Sequence, residues 1–156
     1  MPSADTSPVS DRHRFIQVML WTNVCMYVTA LLFSGDQIRF SWNPMTTVAP
    51  DSNVLKFLGA AGTSAVRRPV LDVWWTFLSA NWLHGSLLHL IFNMIALHQI
   101  ADMVARGYGR HRMFIVYSLS GVFGFLVSYK ATVHLTVGAS SGICGLIGAA
   151  LFYGVT

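Results

Sequence analysis

The distribution of charge limits the folds available to this chain more than any other feature of its sequence. No charged residue lies between Asp72 and Asp102, and three further runs are uncharged: residues 15–34, 113–129 and 131–156. About 20 consecutive apolar residues are enough to cross the hydrocarbon core of a bilayer. Only 10% of the 156 residues are charged and none is glutamate, whereas soluble domains average about 25% charged residues. The sequence therefore predicts an all-α polytopic membrane protein.

The uncharged runs predict a partial helical bundle of about four transmembrane helices, which we place at about residues 14–34, 79–101, 112–130 and 140–156. The second run is longer than one span, so we expect its first part, with Trp74 and Trp75, to lie at the membrane interface, where tryptophan is enriched. Residues 35–72 contain several prolines and glycines and are predicted to form a long ordered loop. The chain is therefore divided into an N-terminal tail, residues 1–13, and a membrane domain, residues 14–156.

Arginines are concentrated beside the predicted spans: Arg12, Arg14, Arg106, Arg110 and Arg112. Because positively charged residues flank the cytoplasmic ends of membrane helices, we predict that the tail, residues 1–13, is cytoplasmic and that the loop, residues 35–72, is extracytoplasmic. This orientation places His84 and Ser140 at the extracytoplasmic ends of their helices. The tail has no organelle-targeting composition, so we expect an integral, multi-pass protein of the bacterial inner membrane.

Composition and spacing argue against several other kinds of protein. The formal net charge of +4 is modest, and the arginines lie between apolar runs rather than in one basic cluster, so binding to nucleic acid is not expected. Cys25 and Cys144 are isolated in the sequence, which argues against a disulfide framework or a zinc site. We expect neither a metal nor another cofactor, and the lipid bilayer is the expected environment.

The second uncharged run carries three polar side chains, His84, His89 and Asn93, and such residues mark functional sites in membrane helices by default. At about 100° per residue, His89 and Asn93 lie about 40° apart on one helix face, and His84 lies about 140° from His89. An imidazole and a carboxamide one turn apart can donate two hydrogen bonds to a developing oxyanion. The alternative is that these side chains only join neighbouring helices by hydrogen bonds; the nearby serine favours a functional site.

Small residues surround two serines, Ser140 and Ser141, within residues 138–142 at the start of the last helix. At a helix start the first N–H groups have no intrahelical partner, and they can stabilise an anion beside a serine. Either serine could be the nucleophile, and Ser141 could equally be an N-cap, so the spacing leaves the choice open. The glycines also allow close packing of another helix. The segment matches G-x-S-x-G, the nucleophile elbow of soluble hydrolases, but the membrane-length runs argue against that fold.

These patterns together resemble the rhomboid family of intramembrane serine proteases. The matching segments are WWTFLSANWLHGSLLHLIFNM, GRHRMFIVYSLSGVFGFLVS and TVGASSGICGLIGA. They contain the family's arrangement of two histidines and an asparagine, at His84, His89 and Asn93. They also contain its G-x-S segment, with Ser140 at the position of the nucleophile. The resemblance extends over about residues 72–154 and implies a partial rhomboid-like helical bundle.

The resemblance implies an intramembrane serine endopeptidase that cleaves transmembrane segments of membrane proteins without a cofactor. Ser140, rather than Ser141, would attack the scissile carbonyl. The Ser140 N–H, His89 and Asn93 would bind the oxyanion, and His84 would support the outer rim of the site. The long first loop would lie partly in the membrane and shape lateral access.

Several positions depart from the family pattern. Thr76 occupies a position where the family often has arginine, and alanines replace a Gly-x-x-x-Glu pattern after the second span, at Ala101 and Ala105. Cys144 lies where an aromatic residue usually packs on the catalytic histidine, and Ser141 replaces a frequent glycine. None of these changes alone removes the chemistry.

The general base is the largest departure. In the family it is a histidine on the sixth span, whereas these residues reach only the fourth, and a serine is a poor nucleophile without a base. His134 is too close in sequence to Ser140 for a productive hydrogen bond, and His98 and His111 are predicted near the cytoplasmic side. We therefore expect the chain alone to be an inactive piece of an active-type protease.

Two other functions compete with proteolysis. A non-proteolytic rhomboid-like protein that binds transmembrane clients needs neither a nucleophile nor oxyanion donors, so the retained Ser140, His89 and Asn93 favour the protease. A small channel or transporter subunit fits poorly, because the chain shows no second, inverted repeat.

Overall fold

The computed structural model describes residues 9–43, 46–62, 74–131 and 135–155. The helices, numbered in chain order, are α1 (Val9–Ser34), α2 (Ser52–Phe57), α3 (Thr76–Ser79), α4 (Leu87–Tyr108), α5 (Arg110–Lys130) and α6 (Ser140–Val155). Two 3-10 turns, Gly35–Gln37 and Ala80–Trp82, follow α1 and α3. Within these ranges there is no β-strand and only two isolated β-bridges occur, which confirms the prediction of an all-α fold.

Three of the helices, α1, α4 and α5, are long and apolar enough to cross a membrane, and α6 is a shorter apolar helix. Large apolar side chains are exposed on their outer faces: Leu32, Phe92, Leu119 and Phe123. Such a surface is unfavourable in water and is accommodated by lipid. Trp74 and Trp75 are also exposed, in keeping with an interfacial position. The helices therefore form a partial transmembrane bundle.

The start of α4 differs from the predicted start at residue 79. Residues 76–82 form two short helical turns, and an extended Ser86 separates them from α4. The Ser86 hydroxyl accepts a hydrogen bond from the His89 N–H at 3.2 Å and caps the helix. Hydrophobicity alone does not mark this break, because the whole stretch is uncharged.

The end of α4 lies beyond the predicted end at residue 101. The helix continues through Asp102 and Arg106, which form an ion pair one turn apart at 2.8 Å. It ends at Gly109, whose φ of 86° is readily adopted by glycine. α4 therefore extends about two turns past its uncharged segment.

The N-terminal tail predicted at residues 1–13 is helical in the part that the structure describes. α1 begins at Val9, with Asp11 in its first turn, and residues 1–8 lie outside the described residues. Residues 63–72 of the predicted first loop also lie outside them.

α1, α4, α5 and α6 pack around one apolar core that includes Ile16, Leu97 and Leu146. α5 and α6 approach closely because glycines of α6 face α5. A Cβ added to Gly145 would overlap the Ser120 hydroxyl. The glycines of α6 therefore permit close helix packing, which is one of the two interpretations that the sequence offers for them.

The first loop is tied to the rest of the molecule by backbone hydrogen bonds. The Leu87 N–H, at the start of α4, donates to the Thr47 carbonyl oxygen at 3.1 Å. Ala61 and Thr136 form an antiparallel bridge, with N···O distances of 3.1 and 2.6 Å. The loop is thus held against both the start of α4 and the segment that precedes α6.

Candidate active site

Three segments meet at one end of the bundle: the 3-10 turn Ala80–Trp82, the start of α4, and residues 135–139. The Gly138 N–H donates a hydrogen bond to the Ala80 carbonyl oxygen at 2.9 Å. Together with the bridge to the first loop, this bond fixes the backbone that leads into Ser140, the first residue of α6.

The imidazole of His89 packs on the backbone of Gly138, two residues before Ser140. A Cβ on Gly138 would lie 2.6 Å from His89 Cε1 and 2.8 Å from Nε2, closer than side-chain carbons come in proteins. Gly138 also has a φ of 121°, which glycine adopts without strain. Glycine is therefore required here both for the turn into α6 and for the approach of the His89 ring.

His84 is fully buried and lies beside His89. The two rings meet edge to face, with 5.2 Å between their centroids. Within the described residues, neither His84 ring nitrogen has a well-formed hydrogen bond, although the Trp82 backbone is near enough to favour the charged form. Burial and, after it, the neighbouring His89 outweigh this contact and lower the pKa of His84 to about 3. His84 is therefore neutral at physiological pH.

The buried neutral state of His84 predicts a pH-dependent stability. Its pKa of about 3 in the folded protein lies below the ordinary value of 6.5. The stabilisation is therefore complete above pH 6.5 and decreases as the pH falls toward 3. We expect the free energy of unfolding to fall by up to about 1.4 kcal/mol per pH unit in this range, as measured by melting of the detergent-solubilised protein.

The slope of melting temperature against pH, rather than the melting temperature itself, identifies the group responsible. His84→Asn should flatten the slope. His111→Gln, at an exposed position on α5, should leave it unchanged. A slope that is the same in His84→Asn as in the parent protein would contradict the assignment.

Asn93 lies one turn after His89 on the same face of α4, as the spacing predicts. Its Nδ2 donates a hydrogen bond to the His89 carbonyl oxygen at 2.8 Å, within the helix. The bond leaves the second Nδ2 proton to donate elsewhere. Among the described residues, no hydrogen bond joins the Asn93 side chain to Ser140.

The two neighbouring serines differ in their surroundings. Ser140 is exposed and lines an open groove of about 520 Å³ between α5 and α6, together with Cys144 and Phe123. Ser141 also borders this groove, but its hydroxyl packs against Gly124 of α5, where an added Cβ would lie 2.5 Å from the Oγ. The more accessible hydroxyl is therefore that of Ser140.

The N-terminus of α6 supplies backbone donors beside Ser140. The first hydrogen bond of the helix joins the Ile143 N–H to the Ala139 carbonyl oxygen at 2.9 Å. The N–H groups before Ile143 have no intrahelical acceptor, and they lie at the positive end of the helix dipole. A negative charge that develops next to Ser140 would be stabilised there.

Within the described residues, no imidazole is hydrogen-bonded to the Ser140 hydroxyl. His84 and His89 lie on its side of the bundle, and neither accepts its proton. The other described histidines lie toward the opposite ends of the helices: His13, His98 and His111. His134 lies outside the described residues. The part of the chain that the structure describes contains no group of three His, Cys, Asp or Glu side chains that could hold a metal ion.

Two contacts of this site were not identified from the sequence. The G-x-S pattern marked Gly138, but it did not predict that the His89 ring packs on this glycine. The Ala80 carbonyl anchors Gly138, and nothing in the sequence distinguishes Ala80 from other alanines.

The fold and the site together define a polytopic α-helical membrane protein with a polar, serine-containing site at one end of its bundle. Residues 71–156 match the model of the Rhomboid domain family. Because this match covers more than half of the chain, the chain belongs to the rhomboid family, and the resemblance found in the sequence is confirmed.

Several curated proteins are similar to this chain. RHOMBOID-like protein 4 of Arabidopsis thaliana is 31% identical over 140 residues, which cover 86% of the chain and 34% of the relative. Rhomboid protease GluP of Bacillus subtilis (strain 168) is 35% identical over 79 residues, 51% of the chain and 16% of the relative. Putative rhomboid protease YdcA of the same bacterium is 35% identical over 81 residues, 51% of the chain and 41% of the relative. The chain thus spans less than half the length of these relatives. No solved structure matches it significantly.

Family membership and three membrane-length helices make this an integral membrane protein. The relatives come from a plant and from a bacterium. The expected bacterial inner membrane and the cytoplasmic N-terminus therefore stay predictions.

Proposed function

We propose that this chain contains the nucleophile and the oxyanion-binding side chains of an intramembrane serine endopeptidase. One observation carries the proposal: the His89 ring lies against Gly138, next to an accessible serine at a helix N-terminus. The substrates would be transmembrane segments of membrane proteins, because exposed apolar side chains, Leu119 and Phe123, wall the groove at Ser140. The names of two relatives as rhomboid proteases support the same activity.

In the proposed mechanism, the Ser140 Oγ attacks the scissile carbonyl carbon, and negative charge develops on the carbonyl oxygen. The Ser140 N–H and the side chains of His89 and Asn93 would donate hydrogen bonds to that oxygen. His84, neutral and buried beside His89, would hold the His89 ring in position through their edge-to-face contact. Collapse of the intermediate would break the C–N bond, and the amine would leave with the proton that the general base took from Ser140. Water would then hydrolyse the acyl-enzyme and restore the Ser140 hydroxyl.

The proton of Ser140 has to pass to a general base during the attack. On this side of the bundle the described histidines are His84, whose pKa of about 3 makes it a weak base, and His89, which is assigned to the oxyanion. His134 lies outside the described residues, and it is too close in sequence to Ser140 for a productive hydrogen bond. We therefore expect the 156 residues alone to be inactive. The base would be an imidazole supplied from outside them.

Cleavage assays in liposomes test whether the general base lies outside these residues. The 156-residue chain should leave a transmembrane substrate intact, while the complete gene product that contains it should cleave the substrate. Cleavage by the 156-residue chain that is abolished by Ser140→Ala would contradict the expectation, because the base would then lie within these residues.

We also propose that the N-terminus is cytoplasmic and that Ser140 lies toward the other side of the membrane. The arginine-rich ends of α1, α4 and α5 support this orientation. In intact cells, with Cys25 and Cys144 replaced by serine, an impermeant maleimide should label Asp36→Cys but not His111→Cys. The reverse labelling would show the opposite orientation.

A second function, the binding of transmembrane clients without cleavage, is favoured by one observation: within the described residues, no imidazole is hydrogen-bonded to the Ser140 hydroxyl. If this function is correct, the complete gene product leaves its clients intact, and Ser140→Ala does not change their binding.

A further inference from the structure

A polar pocket of about 430 Å³ lies between α1 and α4, at the helix ends opposite the serine site. Its polar lining consists of His13, Gln17, His98, Gln99, Asp102 and Arg106. At 1.5 Å per residue, Arg106 lies about 25 Å along α4 from His89. The pocket is therefore separate from the candidate active site, and proteolysis does not use it.

The carboxylate in this pocket is already neutralised. Asp102 Oδ1 lies 3.2 Å from Arg12 Nε, and Oδ2 lies 2.8 Å from Arg106 Nη1. The His13 Nε2 is also 3.7 Å from Asp102 Oδ1. Two guanidinium groups on one carboxylate leave an excess of positive charge. Arg12 is nearly buried, whereas the Arg106 side chain is 60% exposed and can donate further hydrogen bonds.

The surface around the pocket is also positively charged. Five arginines belong to the described ends of α1, α4 and α5: Arg12, Arg14, Arg106, Arg110 and Arg112. The described carboxylates at these ends are Asp102 and Asp11, and Asp11 lies 3.7 Å from Arg110. The pocket therefore favours an anion.

A largely apolar groove of about 580 Å³ lies beside the pocket on the outer face of α1, with Arg14 at its charged end. The two cavities share Gln17, and the groove extends past Val18 and Trp21 to Met26. From Gln17 to Met26 the helix rises about 14 Å, from the charged helix ends into the apolar part of the span. A polar pocket joined to an apolar groove matches a phospholipid, whose headgroup and acyl chain need these two environments.

We propose that the pocket binds the headgroup of an anionic glycerophospholipid. The phosphate oxygens would accept hydrogen bonds from the Arg106 guanidinium and from the Gln17 and Gln99 amides. One acyl chain would lie in the groove against Trp21. The bound lipid would join α1 to α4, next to the ion pair between Arg12 and Asp102.

Native mass spectrometry of the detergent-purified protein, titrated with phosphatidylglycerol or phosphatidylcholine, tests the proposal. We expect phosphatidylglycerol to bind at least about fivefold more tightly than phosphatidylcholine. Arg106→Gln should weaken the binding of phosphatidylglycerol by at least about fivefold. Arg112→Gln is the matched control, because it removes an exposed arginine at the same end that does not line the pocket. We expect it to change binding by less than about twofold.

Two further arms separate a lipid from a free anion. Trp21→Ala should weaken the binding of phosphatidylglycerol but leave any binding of inorganic phosphate unchanged, because only the lipid occupies the groove. Equal binding of the two phospholipids, or equal losses in Arg106→Gln and Arg112→Gln, would overturn the proposal. Displacement of phosphatidylglycerol by millimolar inorganic phosphate would also overturn it, since the site would then bind an anion without its acyl chain.

Discussion

Ser140→Ala, made in the complete gene product, is expected to lower kcat/KM for a transmembrane substrate by at least about 10³-fold. In the groove between α5 and α6, the Ser140 hydroxyl is more accessible than that of its neighbour Ser141, and it is the proposed nucleophile that forms the acyl-enzyme. The substitution removes an exposed oxygen, so the melting temperature should stay the same. Rates are compared in liposomes at equal protein content, with melting curves as the control for folding.

Ser141→Ala is the matched control for this experiment. The Ser141 hydroxyl packs against Gly124, so its loss should affect helix packing more than chemistry. We expect less than about a tenfold change in kcat/KM. Full activity in Ser140→Ala, or complete loss of activity in Ser141→Ala alone, would show that Ser140 is not the nucleophile. Either result would remove the basis of the proposed function.

Gly138→Ala is expected to cost about 2–4 kcal/mol of stability, because the new methyl group meets the His89 ring and the backbone has a positive φ. The melting temperature should fall by at least about 5 °C. Activity should fall by at least about 10²-fold, since the same methyl group displaces His89, the proposed oxyanion donor. Melting curves and cleavage rates measure the two effects in one preparation.

Gly148→Ala separates this effect from the general cost of replacing a glycine in this region. A Cβ on Gly148, in the middle of α6, meets no atom within 4 Å. The substitution should therefore leave the rate unchanged and the stability the same or slightly higher. Equal losses in Gly138→Ala and Gly148→Ala would mean that the contact between His89 and Gly138 has no special role.

The class of fold follows from the sequence because charge is so unevenly distributed, and a bilayer admits few alternatives to helices for long uncharged runs. The limits of α4 do not follow in the same way. Its start depends on the hydroxyl of Ser86, and its end on Gly109. Both signals are local and polar, and neither changes the hydrophobicity on which the prediction of spans rests.

Parts of the candidate site also depend on tertiary contacts that a sequence does not contain. Spacing left Ser140 and Ser141 equivalent, and they are distinguished by the packing of Ser141 on Gly124 of another helix. The alanines that replace the family's Gly-x-x-x-Glu pattern, Ala101 and Ala105, are fully buried in the apolar core. The residue patterns predicted a chemistry, whereas the orientation of each side chain required the packed bundle.

A structure of the complete gene product with a phosphonate bound covalently to its nucleophile tests the central claim most directly. The account predicts a bond from phosphorus to Ser140 Oγ, and a phosphonyl oxygen within hydrogen-bond distance, about 3 Å, of both the His89 ring and the Asn93 amide. A bond to Ser141, or a phosphonyl oxygen that faces away from α4, would contradict it.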